Sequence, residues 1–141
     1  MKTISTCIIV FLITICTNAY SQKVRLDSVM VQWEHFGTET VVAVSCDQFD
    51  TQFIKSKQSK KIYSPAILRR LKESSQSSYF KKSKEWDSID VRGKIVYFYS
   101  NSIVKYCFDA GGHFDKNGVI TDNKLLWSFI TYRIIPKAYQ E

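Results

Sequence analysis

Apolar positions along this chain fall mostly into short runs of the length a β-sheet uses, interrupted twice by helical spacing. Val29-Met30-Val31-Gln32-Trp33 is rich in β-forming side chains and predicts a strand. Gly37-Thr38 turns the chain after it. Thr40-Val41-Val42-Ala43-Val44-Ser45-Cys46 is then a near-continuous apolar run of strand length, so the two segments are expected to pair as an antiparallel hairpin. From Asp47 to Ile62 the pattern is polar and fits no single element, with Phe49, Phe53 and Ile54 as apolar anchors. Ser64-Pro65 predicts a helix start, with serine at the cap and proline in the first turn, where a missing N–H costs nothing. Ile67, Leu68 and Leu71 form its apolar stripe, and the serine-rich stretch from Ser74 to Ser78 ends it.

A second set of strands follows. Ile89 to Tyr99 predicts one strand, Ser100-Asn101 a tight turn and Ser102 to Phe108 the return. That register places Tyr97 opposite Val104 and Ile95 opposite Tyr106 on one side of the sheet. Val96, Phe98, Ile103, Lys105 and Cys107 fall on the other. After Gly111-Gly112, His113 to Ile120 predicts a further hairpin around Lys116-Asn117-Gly118. Thr121 or Asp122 is placed to cap a last helix carrying Leu125, Leu126, Phe129 and Ile130, which Pro136 ends. The expected fold is α+β: a single antiparallel sheet of four to five strands in the order ββαβββα, with two helices packed on one face.

The first 21 residues stand apart from this pattern. Lys2 is their only charge, and Cys7 to Cys16 is an apolar run too short to cross a bilayer. Ala19 and Ser21 supply the small residues of an export-signal cleavage site, which predicts a cut before Gln22 and a secreted or periplasmic protein without a membrane span. A lipoprotein acylated at Cys16 is the alternative, against which stands the bulky Ile15 before it. Residues 22–141 then form one domain, with a core large enough not to need several disulfides.

Removing the signal changes both the charge and the cysteine arithmetic. Lys2 takes one charge from the +7 of the full chain and leaves +6. The excess is concentrated between residues 55 and 84, where Lys55, Lys57, Lys60, Lys61, Arg69, Arg70, Lys72, Lys81, Lys82 and Lys84 face one acid, Glu73. Such a stretch reads either as a solvated surface or as a patch for an anionic envelope component or an acidic protein. Aromatic residues lie nearby, but no nucleic-acid motif accompanies them, which disfavours that partner. Cys46 and Cys107 remain after cleavage, either as a disulfide suited to an oxidising compartment or as two buried thiols.

Reactive groups are sparse. His35 and His113 are the two histidines. Asp109, His113 and Asp115, around Gly111-Gly112, are the candidate ligands for a cation and the centre of an alternative reading as a small metal-dependent hydrolase. A turn between strands accounts for the same residues. Cys107 with His113 sketches a nucleophile and base, yet Cys107 lies in an apolar strand where packing is its ordinary use. No cofactor motif is present. The signal, the strand opening Ile89-Asp90-Val91-Arg92-Gly93-Lys94-Ile95 and the later Tyr106-Cys107-Phe108-Asp109 resemble small exported proteins of Bacteroidetes-type bacteria. That resemblance implies an envelope location and assigns no activity or site residue. The expectation is a secreted or periplasmic binding protein without catalytic activity, contacting a partner through the basic stretch or the sheet face bearing Phe98. An inhibitor or immunity-type protein that blocks a partner is the third class.

Overall fold

The computed structural model describes residues 24–138. The export signal expected over residues 1–21, its cut before Gln22 and the alternative anchor Cys16 lie outside the described residues. The architecture is α+β, built on one antiparallel sheet of seven strands, more than the four to five the pattern predicts. The strands are β1 (Leu26–Trp33), β2 (Gln58–Ile62), β3 (Lys81–Lys82), β4 (Gly93–Tyr99), β5 (Ile103–Phe108), β6 (His113–Lys116) and β7 (Val119–Asp122), in the spatial order β2-β1-β4-β5-β6-β7-β3. Among the described residues three α-helices accompany them: α1 (Phe49–Gln52), α2 (Pro65–Ser74) and α3 (Lys124–Phe129), the last continuing as a π-helical turn over Ile130–Ile134.

The central ladder follows from the alternation of its side chains. Tyr97 pairs with Val104 and Ile95 with Tyr106 across β4 and β5. The β6–β7 hairpin turns at Asn117 and Gly118, both at positive φ (54° and 81°), as a two-residue hairpin loop requires. On one side of the sheet, Val29, Val31, Ile95, Tyr97, Phe108 and Phe114 meet Leu68 and Leu71 of α2 and Leu126 and Ile130 of α3 in the main core. The two longer helices therefore share a face. The opposite face is covered as well. Val44, Phe49 and Phe53 close over Val91, Cys107 and Ile120 in a second cluster, with α1 in its midst.

Two predicted elements are corrected. The run 40–46 forms no strand, and Val41 and Val42 stand in solvent, 103% and 71% exposed. Both edges of β1 are already taken, by β2 and β4, so no ladder position is left for it. Its partner in the expected hairpin is instead the polar segment Gln58–Ile62, an edge strand whose lysines guard the open side against further pairing. At the other end of the chain the cap of α3 is neither Thr121 nor Asp122. Asn123 Oδ1 accepts from the Leu126 N–H at 2.9 Å, while its Nδ2 donates to Ser74 O at 2.8 Å. One amide thus fixes the start of α3 and ties it to the end of α2, which sets the two helices antiparallel. At α2, Pro65 occupies the first turn as expected, but the Ser64 side chain makes no capping bond.

Candidate functional site

The basic stretch that is continuous in sequence is divided in space. Lys57, Lys60 and Lys61 belong to β2 or its approach, at one edge of the sheet. Lys81 and Lys82 form β3 at the other, six strand spacings away, about 29 Å measured along the sheet. Several of these cations already have partners. Lys57 Nζ is 2.7 Å from Asp50 Oδ1, Lys60 Nζ donates to Ile134 O at 3.1 Å, and Lys61 lies over the rings of Tyr63 and Phe98 at 5.4 and 5.5 Å. The single patch expected over residues 55–84 is therefore corrected: β2 and β3 are opposite borders of one sheet, and α2 carries the cations between them.

Arg69, Arg70 and Lys72 project from α2 because Leu68, Leu71 and Ser74 turn the other way, into the core. Arg69 and Arg70 line a groove of about 770 Å³ with Ala66 and Ile67 on one wall and Phe129, Tyr132 and Arg133 on the other. The antiparallel setting fixed by Asn123 brings these ends together, and the π turn over Ile130–Ile134 presents Tyr132 and Arg133 on the rim. The Tyr132 ring is 78% exposed. None of the three guanidiniums has an ion-pair or hydrogen-bond partner among the described residues. Glu73, on the same helix, is paired with none of them. The start of α2 and the end of α3 meet here with dipoles of opposite sense, so the field in the groove is that of the arginines. Arginine keeps its charge at any working pH, and its planar fork matches phosphate, sulfate or carboxylate oxygens two at a time. Arg133 lies 63 positions from Arg70, outside any local charge run, and sequence reasoning missed it; its place at the end of an amphipathic helix was the available signal.

Asp109, His113 and Asp115 do not converge. Asp109 Oδ1 accepts from the N–H groups of Gly111 and His113, each at 2.9 Å, and so holds the glycine turn. Asp115 Oδ1 accepts from the Gly118 N–H at 2.7 Å and stabilises the hairpin loop. His113 Nδ1 pairs with Asp122 Oδ1 at 2.5 Å, and its ring lies 5.4 Å from that of Trp86. Among the described residues no three His, Cys, Asp or Glu side chains are grouped to hold a metal ion. Cys107 is fully buried and joined to Cys46 in a disulfide with Cα atoms 5.7 Å apart, the first of the two states open to these cysteines, and it is not a thiol for His113 to activate.

The polar contacts that sequence reasoning passed over are structural. Asp50, on α1, takes both Lys57 and the buried Lys94 of β4, which anchors α1 to the sheet. Glu34 is buried and accepts from the hydroxyls of Thr38 and Ser56. The hydrogen bond from Lys57, then that from Lys94, holds the Asp50 carboxyl below its ordinary value of 3.8. A lowered folded-state value contributes stability above pH 3.8 that is lost as pH falls through the folded value. The melting temperature of Asp50→Asn is therefore expected to lie below that of the parent at neutral pH, with the gap closing in acid as the pH falls below 3.8 and through the lowered folded-state value. A gap unchanged between neutral and acid pH would contradict this account.

Comparison with protein-family models, with curated proteins and with solved structures finds no match to this chain.

Proposed function

We propose that the protein is an exported binding module of the cell envelope or secreted space that takes an anionic group of its partner into the groove between α2 and α3. The observation that carries this reading is the convergence of Arg69, Arg70 and Arg133, from two helices and unpaired among the described residues, on one concavity. Three like charges held together repel one another, and a bound anion relieves that repulsion. Export rests on the pattern of residues 1–21. The alternative centred on Asp109, His113 and Asp115 is favoured less by this geometry, since each of those side chains is engaged in a turn or a local pair.

The test is calorimetric titration with inorganic phosphate at ionic strengths of about 0.01 M and about 0.15 M, where the screening length falls from about 30 Å to about 8 Å. Affinity is expected to fall several-fold with salt, and Arg70→Glu/Arg133→Glu to weaken it at least tenfold. Both sites are exposed, so the melting temperature of that variant is expected to stay close to the parent's. Phosphate binding indifferent to salt, or retained in the double variant, would remove the groove as the anion site.

A further inference from the structure

A second concavity shares Arg69 with the first. It is a trough of about 740 Å³ between α2 and the start of β1, lined by Val24, Leu26, Tyr63, Pro65 and Leu68 with Arg69 and Lys72 on its rim. Pro65, Leu68, Arg69 and Lys72 are spaced i, i+3, i+4 and i+7, so a single stripe of α2 presents an apolar floor and a cationic border together. Arg25 and Asp27, also at the trough, neutralise each other at 2.7 Å. Arg69 and Lys72 have no ion-pair partner among the described residues. An exposed apolar trough that ends at a guanidinium unpaired among the described residues is complementary to a molecule with a hydrocarbon tail and an anionic head.

We infer that the trough binds a single-chain anionic amphiphile, its chain along Leu26, Tyr63 and Leu68 and its phosphate or carboxylate at Arg69. The inference rests on the reading of the arginine groove, because Arg69 borders both. It specifies a dissolved amphiphile rather than a bilayer surface. A bilayer presents a plane of charge, whereas this molecule sends its lysines to opposite edges of the sheet and keeps its unpaired α2 cations beside concave surfaces.

Each methylene fully removed from water strengthens binding roughly fourfold, and an open trough covers only part of a chain. Dodecyl phosphate, below its micellar concentration, is therefore expected to bind ten- to a hundredfold more tightly than inorganic phosphate. Val24→Asn and Tyr63→Asn alter exposed side chains on the trough wall without adding charge beside Arg69. They are expected to abolish that gain while leaving inorganic phosphate binding unchanged. Dodecyl maltoside, with the same chain and a neutral head, is expected to bind at least tenfold more weakly than dodecyl phosphate. Equal affinity for dodecyl phosphate and inorganic phosphate would overturn the inference and leave the anion groove standing. Equal affinity for the maltoside, or binding to phosphatidylglycerol vesicles without binding to the free amphiphile, would overturn it as well. Failure of both phosphates to bind would overturn the trough and the groove together.

Discussion

Replacing Cys46 and Cys107 together by alanine is expected to lower the unfolding free energy by about 4 kcal/mol, the loop-closure contribution of a disulfide of this span. The bond closes a loop with a sequence separation of 61, and opening a loop of that size returns its closure entropy to the unfolded chain. For a domain of this size the same loss corresponds to a fall of roughly 15 °C in melting temperature. The effect should be spatially uneven. Cys46 closes the segment that carries Val44, Phe49 and Phe53 over Cys107, and few other bonds hold that cover. They include Val44 N–H to Asp90 Oδ1 at 2.8 Å, Val91 N–H to Val44 O at 2.9 Å, and the pairs of Asp50 with Lys94 and Lys57. Amide exchange should therefore accelerate over residues 44–53 well before it does in β4 and β5. Calorimetric melts and exchange rates, with and without a reductant on the parent protein, give the measurement. A loss under about 1 kcal/mol, or protection over 44–53 that survives the exchange, would show that the cover is held by packing alone.

The contrast between what the pattern foretold and what it missed has a physical origin in the sheet. β4, β5, β6 and β7 are joined by tight turns, so their pairing is local, and alternation plus turn residues fixed the register down to Tyr97 opposite Val104. β1 has no such neighbour. Its two partners come from β2 and β4, chosen by tertiary packing, and nothing local marks Gln58–Ile62 as the winner over the more apolar 40–46. An edge strand needs to bury little: four of its five residues are exposed, so its sequence is polar and reads as loop. The same reason hides the candidate site. Charge density along the chain pointed to residues 55–84, yet the sheet separates that stretch into two borders and a helix, and the groove is completed by Arg133 from a different helix. Local sequence reports which side chains leave a helix; only the antiparallel docking through Asn123 reports which of them meet.

Gly93→Ala is expected to cost about 3 kcal/mol or more, above the usual range for one added methyl in a packed core. Gly93 opens β4 between Trp33 of β1 and Phe108 of β5. A Cβ there would stand 2.2 Å from two ring carbons of Phe108 and 2.9 Å from the Gln32 carbonyl oxygen. The ring has nowhere to go. Phe108 is fully buried, with Phe36, Phe114 and Trp127 at centroid distances of 6.4, 6.0 and 5.8 Å. Relief must come from the backbone of β4, which is hydrogen-bonded on both sides, so the clash is converted into lost ladder as well as lost packing. Gly118→Ala is the control: its Cβ would meet no atom within 4 Å, and its cost is limited to holding alanine at φ 81°, about 1–2 kcal/mol. If the ring is the obstacle, trimming it should couple to the glycine. Gly93→Ala/Phe108→Leu is then expected to be less destabilised than the sum of its two single variants by at least about 1 kcal/mol in a denaturant double-mutant cycle. Simple additivity would mean that Gln32 and the strand backbone, not Phe108, set the requirement for glycine at this position.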